Sequence, residues 1–216
     1  MAIIKNILGV PNGKIGDMVF YQRKGKTICK TIGKTAQLSP LQLANCQAMS
    51  VTTTLLRHML KFINLGYGLQ AKGTDQHPHN LATAYHKKYA LKGVYPNIEV
   101  DYAKVMLSQG DLSVITDIKV EKLSTGIQFS WDPKLNYKRE EHDDLVMILL
   151  YFKNKKRVEE HLNAAKRSDG QVFLLINEEE ILLPTAIYIA LRSADGTQVS
   201  DSKYLGTLND PEEDLG

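Results

Sequence analysis

Cysteine is scarce in this 216-residue chain, long apolar runs are missing, and acidic residues are few in its first half. Cys29 and Cys46 are the only thiols, and they fall in differently patterned segments, so no disulfide framework is expected and a reducing compartment fits. The longest apolar stretches, such as 145–152, fall far short of the ~20 residues a spanning helix needs. The start, Met1-Ala2-Ile3-Ile4-Lys5-Asn6-Ile7-Leu8-Gly9, lacks the apolar stretch and small-residue cleavage site of a secretory signal. Membrane insertion and export by the general route are therefore not expected, and the cytoplasm is the default location.

Recognisable chemistry is also missing. No Gly-x-Ser-x-Gly, phosphate-loop or dinucleotide motif occurs; Gly13-Lys14-Ile15-Gly16 is too short and no helix follows it. His77-Pro78-His79 with His86 has no nearby cysteine and only Asp75 as a carboxylate, and the intervening proline splays the first two imidazoles. These read as surface histidines rather than metal ligands. Glu140-Glu141-His142-Asp143-Asp144 and Glu178-Glu179-Glu180 read as solvated loops before strands, since nothing apolar nearby would raise a carboxylate pKa. The expectation is a non-enzyme with no catalytic residue, metal, cofactor or small-molecule substrate.

What the chain does have is a division of charge. Residues 1–100 carry 13 Lys+Arg against 3 Asp+Glu, a net +10, and residues 101–216 carry 14 against 21, a net −7. The texture changes near the same place, which argues for two modules. The first is punctuated by Gly9, Gly13, Gly16, Gly25 and Gly33. Residues 18–21 and 27–32 are β-prone and flank Gln22-Arg23-Lys24-Gly25-Lys26, which predicts a hairpin with Gly25 at the turn position needing positive φ. A lone hairpin is marginal in water, so this one is expected to lie against something, and its open edge makes another chain a natural cover.

Ser39-Pro40-Leu41-Gln42 then supplies a capping hydroxyl, a proline at the first helical position and a glutamine three residues after the cap. Apolar residues follow at Leu41, Ala44, Ala48, Val51, Leu55, Met59 and Phe62, one continuous stripe that predicts a helix running to Gly66. A second helix is predicted over 80–91, with Leu81, Ala84, Tyr85 and Tyr89 or Lys88 on shared faces and a stop at Gly93, after a polar loop at 71–79.

Beyond Tyr95-Pro96-Asn97 the period changes to two. Strands are predicted near 98–102, 118–123, 126–131, 145–152, 171–176, 186–193 and 198–205, separated by turn signals such as Ser168-Asp169-Gly170 and Ala194-Asp195-Gly196. The charged run 154–166 reads as a long connection. The organisation predicted is α+β: a basic hairpin and two-helix region over 1–95, an antiparallel sandwich over 96–208, and an acidic tail over 209–216. Trp131, Leu149, Phe173, Tyr188 and Ile189 are the expected sandwich core, and Leu55, Met59 and Phe62 the expected helix core.

The stretch 126–131, then Leu183-Pro184-Thr185-Ala186-Ile187-Tyr188-Ile189-Ala190, then Ser193-Ala194-Asp195-Gly196-Thr197 and Ser200, resembles a fibronectin type III or related immunoglobulin-like domain. That resemblance implies Trp131 as the core tryptophan of an early strand and Tyr188 as the tyrosine that locks the corner before the penultimate strand. The spacing departs by about a residue around Pro184 and Thr185. A second resemblance runs end to end. Gly13-Lys14-Ile15-Gly16-Asp17-Met18-Val19-Phe20-Tyr21, Arg23-Lys24-Gly25-Lys26, Phe62-Ile63-Asn64-Leu65-Gly66-Tyr67, residues 95–105 and Val199-Ser200-Asp201-Ser202-Lys203-Tyr204-Leu205-Gly206 are similar, in this order, to a family of uncharacterised Bacteroidetes proteins. Where that family usually has a tryptophan before its Lys-Gly pair, this chain has Gln22 and Arg23.

The functional expectation is a structural or interaction protein, in which the basic hairpin of one copy meets the acidic sandwich of the next, head to tail, or the two opposite charges meet within one molecule. Phe20, Tyr21, Arg23, Lys24, Lys26 and Lys30 are the candidate interface. The alternative is nucleic-acid binding through Lys14, Arg23, Lys24, Lys26, Lys30 and Lys34, with Phe20 and Tyr21 available to stack.

Overall fold

The computed structural model describes residues 2–4, 12–23, 25–33, 37–133 and 142–210, and the chain divides into two compact units, Met1–Ser39 and Pro40–Gly216. In the first unit the glycines act as hinges between short strands β1 (Ala2–Ile4), β2 (Gly13–Ile15), β3 (Met18–Arg23) and β4 (Lys26–Thr31). Gly16 at φ +55° turns β2 into β3, and Gly25 at φ +71° turns β3 into β4, conformations a side chain would resist. The expected hairpin forms in the register Met18↔Thr31 to Arg23↔Lys26. Its expected open edge is partly filled: β1 pairs with β4 at Thr27, Ile28 and Cys29, and β2 with β3 at Met18, Val19 and Phe20, giving a four-stranded antiparallel sheet in the order β1-β4-β3-β2. The chain's own flanking residues thus occupy part of both ladders that strand addition would have used.

The second unit begins with four helices, α1 (Pro40–Arg57), α2 (Leu60–Gly66), α3 (Gly68–Ala71) and α4 (Pro78–Tyr89). The single helix predicted to Gly66 is interrupted at His58 and Met59, whose amides bond three residues back to the Leu55 and Leu56 carbonyls. Upstream, the β-branched run 52–54 weakens helix propensity, and the Thr53 hydroxyl bonds back to the Met49 carbonyl at 2.9 Å. Packing then decides the axis: Leu55, Leu56, Met59, Phe62, Ile63 and Tyr67 are all buried, each fully buried large side chain being worth roughly 1.5–3 kcal/mol. In α4, Pro78 sits in the first turn after His77, and the buried face is Ala82, Thr83 and His86 rather than the predicted Leu81, Ala84, Tyr85 and Tyr89.

A two-stranded ladder of β5 (Leu91–Lys92) and β6 (Glu99–Val100) replaces the longer strand predicted at 98–102, because Tyr102–Lys104 turn into a 3-10 helix. The remaining strands are β7 (Lys119–Leu123), β8 (Gly126–Ser130), β9 (Leu145–Phe152), β10 (Arg157–Lys166), β11 (Gln171–Leu175), β12 (Thr185–Arg192) and β13 (Lys203–Leu208). They form two antiparallel sheets, one in the order β10-β9-β12-β13 and one in the order β11-β8-β7.

Alternation along β9 and β12 explains the layering. Val146, Ile148, Leu150, Phe152, Ile187, Ile189 and Leu191 pack with Ile127, Phe129, Trp131 and Leu174 between the two sheets. Met147, Leu149, Tyr151, Ala186, Tyr188 and Ala190 point the other way and share a second core with Leu55, Met59, Phe62, Tyr67 and Ala82 of the helical region. The larger sheet is therefore covered on both faces, and the architecture is α+β. Residue 95, expected as a boundary, falls inside this unit because the helices at 40–89 are the cover for the sheet at 145–208.

Other expectations need correction. The run 154–166 is not a connection: β10 occupies most of it and pairs with β9, with a bulge between His161 and Ala165 that breaks the alternation. Phe173 is 42% exposed on the outer face of the smaller sheet. Tyr188 and Leu149 are core residues, but of the helix-facing core rather than the one between the sheets. At the expected tail, Asn209 donates to the Ile181 and Leu183 carbonyls and Asp210 pairs with Lys153 at 2.7 Å. The rest of that segment, 211–216, lies outside the described residues.

Candidate cationic docking face

In a strand, side chains alternate between faces, and residues directly opposite each other across a ladder share a face. The ladder pairs Val19↔Lys30, Lys14↔Val19, Tyr21↔Ile28 and Arg23↔Lys26 therefore put Lys14, Arg23, Lys26 and Lys30 on one face of the N-terminal sheet, with Tyr21 among them. The Lys30 ammonium lies 5.6 Å from the centre of the Tyr21 ring, a diagonal contact that this sidedness allows. Phe20↔Cys29, Gln22↔Thr27 and Met18↔Thr31 belong to the opposite face. There the Gln22 side-chain amide donates to the Thr27 hydroxyl at 2.9 Å and the Cys29 thiol approaches the Met18 sulfur at 3.6 Å.

The candidate interface is thus divided by register. Tyr21, Arg23, Lys26 and Lys30 are brought together and Lys14 joins them, whereas Phe20 is buried on the other side. Lys24 and Lys34 lie outside the described residues. All four described cations are exposed, Tyr21 is half-buried, and among the described residues none of the four has a carboxylate partner. Asp17, at the turn between β2 and β3, is the one acidic residue in Met1–Ser39. The face is a strip of positive charge, without a carboxylate partner among the described residues, with the half-buried Tyr21 ring and the buried Ile28 set between the cations.

Charged groups set aside at the sequence level turn out to be structural in the second unit. Asp144 is buried and lies 3.6 Å from the buried Arg167 guanidinium, which also donates to the Ser113 carbonyl at 3.0 Å. The Arg167 carbonyl in turn accepts from the Trp131 indole at 2.7 Å, so the pair fixes one end of the inter-sheet core. Glu180, expected in solvent, is buried and bonded to Arg157, with Lys155 at 3.7 Å. His86, expected on the surface, is in the helical core. No linear motif marks these partners, which lie 23 residues apart in both the Asp144/Arg167 and Arg157/Glu180 pairs. Asp143 of the first acidic run is exposed and paired with Lys166 at 2.8 Å, while Glu140 and Glu141 lie outside the described residues.

By architecture this is an α+β protein with a four-stranded N-terminal sheet and a helix-covered pair of antiparallel sheets. The sequence profile described as a family of unknown function (DUF6266) matches residues 12–206, and the chain belongs to that family. No curated protein and no solved structure matches it.

Proposed function

We propose that the protein is a non-enzymatic interaction protein that docks the cationic face of its N-terminal sheet on an acidic protein surface, and that copies of the chain supply that surface to one another, head to tail. The observation that carries this reading is the segregation of Lys14, Arg23, Lys26 and Lys30 to one side of the sheet without neutralising partners among the described residues. Complementary charge steers association and fixes orientation, and residues 101–216 carry a net −7 to receive it. With both hairpin strands already paired along part of their outer ladders, docking uses the face of the sheet rather than strand addition.

A fibronectin type III-like reading of residues 119–208 accords with such a role. Counting β7 as first, the first, second and fifth strands share one sheet and the third, fourth, sixth and seventh the other. That partition supports the likeness, as does Trp131 between the sheets. Domains of this kind serve widely as spacers and recognition surfaces, which is an argument by analogy.

Nucleic acid is the second reading, favoured by Tyr21 lying among the cations where a base could stack. Sedimentation across a salt series, with and without a single-stranded oligonucleotide, separates the two. Self-docking predicts larger species at low salt that dissociate at high salt and are lost in the triple variant Arg23→Glu, Lys26→Glu, Lys30→Glu. A salt-independent molecular weight that the variant leaves unchanged overturns it, and oligonucleotide binding without self-association transfers the face to the second reading.

A further inference from the structure

Within the Pro40–Gly216 unit a cleft of about 610 Å³ opens where the helical layer meets the larger sheet. Val51 of α1, the β5–β6 ladder, Tyr102 of the 3-10 helix and the turn between β9 and β10 all contribute to its lining. Charged groups of both signs converge there, and several are already matched. The Lys153 ammonium lies 2.7 Å from the Asp210 carboxylate and 4.6 Å from the centre of the Tyr102 ring, and Asp101 holds Lys104 at 2.7 Å. Lys92 and Glu99 stand opposite each other in the β5–β6 register, so their charges offset without an ion pair between them. Counting Lys104, four ammonium groups (Lys92, Lys104, Lys153, Lys156) face three carboxylates (Glu99, Asp101, Asp210), a surplus of one positive charge. Neither Lys92 nor Lys156 has an ion-pair partner among the described residues.

Lys156 carries a second signal. It is the last residue of the β9–β10 turn and sits at φ +49°, left-handed backbone that glycine or asparagine takes more readily than lysine. The turn thus keeps a strained cation at the rim of the cleft where a relaxed residue would close the hairpin as well, and such strain gathers at ligand sites. We propose that this cleft binds a small organic carboxylate, its anionic end held by Lys92 and Lys156 and its apolar or ring-bearing body laid against Tyr102, Val51 and Val100. The surplus of a single positive charge matches a monoanion, and the three carboxylates in the lining disfavour a more highly charged one. The volume lies in the range of small-molecule sites, roughly 300–1,000 Å³, and is far more than a bare carboxylate fills. A second cleft, of about 400 Å³ at Gln70, Gln109 and Gln198, has neither a cation nor an aromatic ring in its lining. The proposed site shares no residue with the cationic face of the N-terminal sheet, so each reading stands or falls without the other.

The test titrates the isotope-labelled full chain with benzoate and 3-phenylpropanoate, and with acetate and benzyl alcohol as the charge without the body and the body without the charge. Amide resonances of residues 92, 99–102 and 153–156 are expected to shift and saturate with the two aromatic carboxylates, and to need about tenfold more of either control. Lys92→Met and Lys156→Gly are each expected to weaken binding by about tenfold, the loss of one charge-assisted contact. Lys156→Gly is expected to do so without lowering the melting temperature, because glycine adopts φ +49° freely, which separates loss of the site from loss of the fold. Failure of both aromatic carboxylates to saturate, shifts centred away from the cleft, acetate binding as tightly as benzoate, or affinities that both lysine variants leave unchanged would each overturn the proposal.

Discussion

A buried neutral imidazole has one donor and one acceptor to place, and His86 places both. Its Nδ1 lies 2.7 Å from the Ala82 carbonyl, one turn back on α4, and its Nε2 lies 3.2 Å from the Met106 amide. A carbonyl requires a proton on Nδ1 and an amide requires a lone pair on Nε2, so the geometry fixes the neutral tautomer. Burial pushes the imidazole pKa below its ordinary value, opposed only in part by the Ala82 carbonyl. Tyr85 packs edge-on against the ring, and the Tyr67 hydroxyl bonds to the carbonyl of the same Met106. In the unfolded chain the imidazole takes up a proton near pH 6.5, before the folded one does. Its contribution to stability is therefore complete above that pH and is lost as pH falls through the lowered folded value. Glu160, whose pKa burial raises, acts with the opposite sign at lower pH. Denaturant midpoints measured from pH 8 to pH 5 are expected to fall, and His86→Gln, less stable at pH 8, is expected to flatten that dependence. An equally steep profile in the variant would assign the loss elsewhere, and NMR titration showing a His86 pKa at or above its ordinary value would contradict the burial argument directly.

At the scale of elements, close approach decides which glycine matters. A methyl group built on Gly66, at the end of α2, would strike the Leu107 carbonyl and come within 2.6 Å of the Ser108 Cα, both backbone atoms with no rotamer to yield. The Gln109 amide bonds the Gly66 carbonyl at 3.2 Å, so residues 107–109 are laid directly across the end of this helix. Gly68, two residues on at the start of α3, has nothing within 4 Å of the same position. Gly66→Ala is expected to cost about 1–3 kcal/mol as overpacking, whereas Gly68→Ala is expected to be neutral or to stabilise by ~0.4–1 kcal/mol. Thermal unfolding of the pair of variants checks the contrast, and equal melting temperatures would refute it. Legibility in the sequence followed the same physics. Gly25 and the turns around the strands were readable because turn chemistry is local, and β9 was readable because a strand covered on both faces is apolar throughout. β10 was hidden because its bulge shifts the side-chain phase after His161 and its exposed positions, Arg157, Asn163 and Lys166, are polar. The phase of α4 was misread because Leu81 and Tyr85 look more apolar than Thr83 and His86, yet the latter pair is buried with its polar atoms bonded inside the helix region. At the candidate face, the cations were visible as composition, but which of them share a side with Tyr21 depended on register, which a residue list does not contain.

The whole Pro40–Gly216 unit turns on one sheet with two cores. Trp131, the chain's one tryptophan, belongs to the core between the sheets, while the helices belong to the core on the opposite face of β9 and β12. Adjacent residues of the same two strands feed both cores, so neither can be dismantled without moving the backbone that supports the other. Had residues 1–95 and 96–208 been separate modules, tryptophan fluorescence and helical circular dichroism would report two independent transitions. A shared sheet requires that they report one. Peeling the helices away would strip Met147, Leu149, Tyr151, Ala186, Tyr188 and Ala190 of much of their cover, leaving Val100, Tyr102, Val105 and Leu107 as the remaining apolar neighbours from the segment before the sheets. Equilibrium unfolding in urea, followed in parallel by Trp131 fluorescence and by ellipticity at the helical minimum, is expected to give coincident midpoints and slopes. Leu149→Ala, on the helix side of β9, is expected to shift both curves together by about 2–5 kcal/mol. A fluorescence transition that stays in place while the helical signal moves would mean that the paired sheets stand without their helical layer, and the boundary near residue 95 would then be real.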